Sequence, residues 1–210
     1  MVVSDYFSKW PEVYAIRNQE AMRVETTLID NWIRRFGVLM ELHSDQGRNF
    51  ESNLFQRVTE VLEIRKTRTT PLHPQSDGIE EQFNRTMEEH LSKVVAEHQK
   101  DWDGHLPVFL LAHQSAVHDT TSQTPARVVF GRELRLPCDI LFGSPSEEPK
   151  EVIDYVDDLK EKLLSVHETV RHKIRVASDR MKTRYDLKGN SVGFQAGDLV
   201  WLYNPRRRKG

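Results

Sequence analysis

His43-Ser44-Asp45-Gln46-Gly47 and, further along, His73-Pro74-Gln75-Ser76-Asp77-Gly78-Ile79-Glu80-Glu81 bracket the stretch that decides how this chain is read. The apolar run Val38-Leu39-Met40-Glu41-Leu42 before the first segment has the character of a buried strand, which places Asp45 at a strand end. The second segment is a Pro/Gly-punctuated loop that feeds a long amphipathic helix, with Glu81 in its first turn. Positions 46 to 80, thirty-five residues, separate the two carboxylates. That length holds a helix, a strand and a loop, enough to bring the chain back so that the two acids converge, as a two-metal nucleic-acid site requires.

Each acid also has a plainer explanation. Asp before Gln-Gly is a turn former, and an acid in the first turn of a helix is favoured by the helix dipole by a few tenths of a kcal/mol. Asp77 at the N-cap with Glu80 at the third helical position makes a capping box, which gives Glu80 a local task and leaves Glu81 free. Ile79, Phe83, Met87, Leu91 and Val94 form one apolar stripe; Glu81 lies well off its centre, beside Asn84 and Arg85.

Outward from this stretch, Val2 to Tyr6 and Val13 to Ile16 have the pattern of two hairpin strands joined around Ser8-Lys9-Trp10-Pro11. Ala21 to Phe36 carries apolar residues at helical spacing (Val24, Leu28, Ile29, Trp32, Ile33, Phe36) and stops at Gly37. Phe50, Leu54, Val58 and Val61 mark another helix, Ile64 to Thr69 a short basic strand. A short helix is expected over Pro125 to Phe130, ended by Gly131. Arg65, Lys66 and Arg68 are either the wet face of an edge strand or, beside a metal cleft, phosphate contacts. The alternation is α/β.

The chain has 210 residues, 38% apolar and 30% charged. It contains no run of about 18 apolar residues and no basic-then-apolar leader, so neither a membrane-spanning nor a secreted protein is expected. A single cysteine, Cys138, excludes intrachain disulfides and points to a reducing compartment. None of the nine histidines has the spacing of a zinc site. Net charge is −2 but unevenly placed. Residues 141–170 hold eight acids against three Lys; residues 171–210 hold eleven Lys/Arg against three Asp, including Arg206, Arg207 and Arg208. Such a block is either a solvated face or a phosphate-binding one, and Arg206 to Lys209 doubles as a weak localisation signal.

The chain resembles the integrase core of gypsy-type LTR retrotransposons and retroviruses over nearly all its length. The words that carry the resemblance are Asp5-Tyr6-Phe7-Ser8-Lys9-Trp10, Asp45 through Asn49-Phe50, Lys66-Thr67-Arg68-Thr69-Thr70-Pro71, His73 to Asn84-Arg85, and Gly131-Arg132 with Leu136-Pro137. The resemblance implies an α/β, ribonuclease-H-like integrase core lacking its first strand, followed by a long helix and an incomplete small β-barrel. It also implies a helix over Trp102 to His113. The implied boundaries are 1–131 for the core, 132–150 for a linker, 151–186 for the helix and 187–210 for the start of the barrel. Asp45 matches the second and Glu81 the third of the family's three catalytic, metal-binding acids. The first acid lies on a strand upstream of the one resembling Val2 to Asp5, and Asp5 matches the hairpin word rather than that acid. The implied cofactor is Mg²⁺ or Mn²⁺, bound weakly or not at all by two carboxylates. The implied partners are DNA and a second copy of the chain, with no membrane, and the expected location is nuclear. Arg65, Lys66, Arg68, Asn84, Arg85 and Arg206 to Arg208 are the candidate nucleic-acid contacts. Leu72, Gln82 and His113-Gln114 stand where the family has Tyr, a basic residue and Tyr-Arg.

Val152, Val156, Leu159, Leu163, Val166, Val170, Ile174, Ala177 and Met181 form a coiled-coil-like stripe, fit either for packing within the chain or for a dimer seam. Three functions follow. The chain is an inactive piece of a retroelement integrase, whose ancestral activity was metal-dependent 3′-end processing and strand transfer. Alternatively it is a host-adopted, non-catalytic DNA-binding or assembly protein, or a decayed reading frame.

Overall fold

The computed structural model describes residues 1–68, 78–95, 101–143 and 152–188; for 78–81, 152–154, 156 and 187–188 it describes the backbone path alone. Strands β1 (Val2–Ser4) and β2 (Pro11–Val13) form an antiparallel hairpin with Val3 opposite Glu12. β1 is shorter than the expected Val2 to Tyr6 because Asp5 to Trp10 are consumed by the turn, and β2 begins two residues before the expected Val13 to Ile16 and shares only Val13 with it. The Asp5 carboxylate accepts from Ser8 N–H (2.7 Å) and Ser8 Oγ (2.6 Å), and Lys9 N–H donates to the Asp5 carbonyl (2.9 Å). Asp5 thus closes a turn.

Helix α1 (Ala21–Thr27) runs into a π-helical segment, Leu28–Ile33, and a closing turn, α2 (Arg34–Phe36). The expected helix therefore forms over its whole length, but its middle has i→i+5 bonding. Thr26, Thr27 and Asn31 each donate a side-chain hydrogen bond to the carbonyl four residues back. Val24, Leu28 and Trp32 are buried. Arg35 ties the end of this helix to the hairpin, donating to Glu12 Oε2 and to the Tyr14 hydroxyl, both at 3.1 Å. Glu12 also accepts from Trp10 Nε1 (2.9 Å). Burial, and next the Glu12 charge, push the Tyr14 phenol up to about 12.

Strands β3 (Glu41–Ser44) and β4 (Arg65–Arg68) pair in parallel, Ser44 beside Arg68, with α3 (Asn53–Val61) as the crossover. Ser52 caps α3 by accepting from Phe55 N–H (3.1 Å). The described strands fall into these two pairs. Both pairs lie on one core: Val3 from β1 and Leu42 from β3 pack against a cluster of Trp10, Val24, Leu28, Trp32, Phe55 and Ala126.

Helices α4 (Gly78–Val94) and α5 (Trp102–Ser115) meet through Phe83, whose ring lies 5.6 Å from Phe109 and 4.8 Å, edge-on, from His113. Buried Gln114 donates to the Pro11 carbonyl (3.0 Å) and fastens α5 to β2. Helix α6 (Pro125–Phe130) is bounded as its sequence dictates. Thr124 Oγ1 accepts from Arg127 N–H at one end, and Gly131 adopts a left-handed φ of +70° at the other. Within 132–150 the chain is not a plain linker. Pro137–Phe142 form a short helix, α7, started by Pro137 and by Asp139 Oδ2 accepting from Leu136 N–H (2.7 Å). The Asp77–Glu80 capping box lies outside the described residues and side chains, and so do residues 189–210 with the expected barrel.

Helix α8 spans Val152–Lys188 and settles the use of the long stripe. Val166 and Val170 are buried against Val128 of α6, with Phe7 and Ile174 around them, and His167 Nε2 is 2.9 Å from the Val128 carbonyl oxygen. From Leu159 to Ile174 the stripe is a docking seam within the chain. At Gly131 a Cβ would stand 2.6 Å from Leu159 Cδ1 and 3.2 Å from Leu163 Cγ. Gly131→Ala is therefore expected to combine left-handed strain with a clash and to cost about 1–3 kcal/mol, read as a lower urea midpoint at unchanged slope.

Candidate nucleic-acid and metal site

Asp45 follows directly on β3, at the carboxyl end of the parallel β3–β4 pair. In open α/β sheets this is the end at which ligands bind. The Asp45 side chain is exposed, and its Oδ1 accepts from Gly47 N–H (2.9 Å). A Cβ on Gly47 would lie 2.5 Å from Asn49 Oδ1 and 2.9 Å from Asp45 Oδ1, so a side chain there would have to turn these two groups aside. The turn thus fixes one carboxylate oxygen and leaves the rest of the group open to solvent. The loop is anchored further on, because Glu51 accepts from Lys66 Nζ (2.7 Å) and pairs with Arg68 (3.2 Å).

Glu81 lies in the first turn of α4, as expected, but its side chain is outside the described set. Among the described residues no cluster of three or more His, Cys, Asp or Glu side chains is arranged to hold a metal ion. Asp45 alone is a fitting donor type for a hard divalent cation, which takes six or more oxygens. One described carboxylate falls well short of that shell.

The candidate phosphate contacts divide. Lys66 is largely buried on Glu51, its side chain 14% exposed, so it secures the Asp45 loop and does not face solvent. Arg65 pairs with Glu41 and Arg68 with Glu51, yet their side chains are 75% and 62% exposed. Arg85 is 82% exposed and pairs only loosely with Glu89 (3.3 Å) one helical turn on; Asn84 is half-buried. Arg206, Arg207 and Arg208 lie outside the described residues. Hydrogen bonds from Arg65 and Lys66 also hold the Glu41 and Glu51 carboxyls below the usual range.

A feature missed in the sequence is a cavity of about 230 Å³ between the hairpin turn, α4 and the segment after α5. Lys9, Gln82, His113 and His118 line it. Lys9 is 5% exposed with a φ of +62°, and its ammonium lies 3.9 Å above the Tyr6 ring. His118 Nδ1 accepts from Thr120 N–H (3.2 Å). The sequence signal was the pair of histidines at 113 and 118; the packing of His113 on Phe83 and the partial burial of both rings were not visible in it. His113 packs on Phe83 here, and the neighbouring Gln114 is buried on the Pro11 carbonyl.

Comparison with protein-family profiles finds no match. Among curated proteins the chain is similar to the retrovirus-related Pol polyprotein from transposon 412 of Drosophila melanogaster, at 24% identity over 94% of this chain and 16% of that protein. It is also similar to the Gag-Pol polyprotein of avian reticuloendotheliosis virus, at 29% identity over 96% of this chain and 17% of that protein. Among solved structures it aligns with a chain of the simian T-cell lymphotropic virus intasome: TM-score 0.54, 24% identity, 72% of this chain and 51% of that one. The chain is related to a segment of retroviral and transposon Pol polyproteins. Its fold is the ribonuclease-H-like α/β fold of integrase cores. The chain spans about a sixth of the length of these polyproteins. No helix among its described residues is long and apolar enough to cross a membrane.

Burial holds both cavity imidazoles below their ordinary 6.5; at His118 the Lys9 and His113 charges add to the effect and Asp119 opposes it. The unfolded chain then takes up protons before the folded one does. Stability is complete above about pH 6.5 and falls as pH drops through the depressed folded values. Urea midpoints measured from pH 7.5 to 5 should fall. The fall should be smaller in the His113→Phe variant, which keeps an apolar ring against Phe83.

Proposed function

We propose that this domain is the DNA-handling core of an integrase whose acid set is incomplete in this 210-residue chain, so that the chain binds nucleic acid without carrying out strand transfer. The observation that carries the proposal is the position of Asp45 in a tight Asx turn at the carboxyl end of a parallel strand pair. Glu81, in the first turn of α4, would supply the second carboxylate. Together they would hold Mg²⁺ or Mn²⁺, which when bound supplies an activated water and steadies the entering and leaving oxygens of a phosphodiester exchange.

Two carboxylates hold such an ion weakly, and the family's first acid has no counterpart at Asp5, which is occupied with Ser8. The division of the described strands into two pairs supports a layer from which an intervening strand, the one that carries that acid, is absent. DNA would be held by Arg68, at the Asp45 end of the strand pair, and by the exposed cations Arg65 and Arg85, together with the basic end of the chain. DNA as partner also implies a nuclear location.

Two measurements test this. Duplex DNA binding followed by fluorescence anisotropy should be weak, indifferent to sequence, and lost on raising salt; binding unmoved by salt would contradict it. Adding a family-like strand with its Asp before Met1 should restore Mn²⁺-dependent nicking, and Glu81→Gln in that background should abolish it. Glu80→Gln should retain the nicking. A grafted protein that folds yet neither binds Mn²⁺ nor cuts DNA would favour a purely DNA-binding or assembly role.

A further inference from the structure

Helix α8 carries a second line of residues besides the seam that docks on α6. Positions 157, 161, 164, 168, 171, 175, 178 and 182 follow one another in alternating steps of four and three, so they share one face. At about 100° per residue this face lies roughly 140° around the helix from Val166 and Val170. All of its residues are exposed except Ser178, which is half-buried.

The order of charge along this line is self-complementary. Its first half reads Asp157, Glu161, Leu164, Glu168; its second half reads Arg171, Arg175, Ser178, Lys182. Reversed and laid against itself about a two-fold axis midway between Thr169 and Val170, Glu168 faces Arg171 of a second copy and Asp157 faces its Lys182. Leu164 faces the aliphatic stem of Arg175, and Glu161 faces Ser178. Each contact occurs twice, as a two-fold interface requires.

We propose that this face of α8 is a self-association surface, on which a second copy of the chain docks antiparallel. Other occupants fit it less well. A parallel copy in register would put Glu168 on Glu168 and Arg171 on Arg171, a like-charge arrangement. A nucleic-acid backbone would match the basic half and be repelled by the acidic half. Within the described residues no ion pair engages Asp157, Glu161, Glu168, Arg175 or Lys182, so these charges are not already committed. Arg171 is partly positioned beforehand, its guanidinium carbon 5.8 Å from the centre of the Phe7 ring. The contact is mostly polar and exposed, which makes the dimer weak and sensitive to salt.

Sedimentation velocity on the 210-residue chain over a concentration series tests the proposal. A reversible dimer is expected at low salt, weakened at high salt. Glu168→Arg and Arg171→Glu, made separately, each place like charges across the axis and should weaken the dimer by roughly tenfold or more. The double variant Glu168→Arg/Arg171→Glu restores complementarity and should restore the dimer, with circular dichroism confirming equal helix content in all four proteins. For register, Leu164→Cys chains mixed with Arg175→Cys chains in a Cys138→Ser background should form a disulfide-linked heterodimer under mild oxidation. A chain that stays monomeric at low salt, a dimer that the single reversals leave intact, or a double variant no stronger than the singles would each overturn it.

Discussion

Neither pair of strands in this protein can stand by itself, since an isolated two-stranded ribbon is marginal in water. What holds both is one apolar layer. Trp10, Val24, Leu28, Trp32, Phe55 and Ala126 form a single buried cluster that takes Val3 from the antiparallel pair and Leu42 from the parallel pair. Around it the polar ties are few and specific. Glu12 joins the hairpin to the first helix through Arg35, Gln114 joins the fifth helix to Pro11, and Glu51 joins the Asp45 loop to β4 through Lys66. The Asp45 turn can hold its shape at the surface because the core beneath and the Glu51 anchor beside it fix both of its ends.

The sequence announced those features whose causes are local. Helix α6 could be bounded because Thr124, Pro125 and Gly131 are themselves the cap, the start and the stop. The Asp45 turn could be placed because Asp before Gln-Gly closes on its own backbone. What escaped depended on neighbours. The i→i+5 bonding of Leu28–Ile33 leaves no mark in the apolar spacing, which fits an unbroken α-helix equally well. The 4–3 stripe of α8 gave a face but not what covers it; the answer lay in Val128 and Gly131, far away along the chain. Helix α7 hid in a proline-rich stretch, where its start signal, Leu136-Pro137 with Asp139, resembled linker composition.

Charge was the hardest property to read. Arg65, Lys66 and Arg68 alternate along a strand and look like a bed for phosphates, yet all three meet a glutamate of the same domain. Of these, only Lys66 is removed from solvent by its pairing; the two arginines keep most of their surface in water. Composition records charges, whereas availability depends on which carboxylate the fold brings beside each one. The same holds at His113 and His118, whose proton affinity is lowered by burial, joined at His118 by the charges of Lys9 and His113.

Gly131 has a mechanical meaning as well as a steric one. There α8 lies against the body of the protein, and a side chain would have to displace Leu159 and Leu163. Beyond Ile174, which packs on the Val128 cluster, the helix runs on to Lys188, about 21 Å at a rise of 1.5 Å per residue, so a tilt of about 10° in this seat swings the far end by roughly 4 Å. One hydrogen atom in place of a side chain thus helps to set the bearing of a long lever.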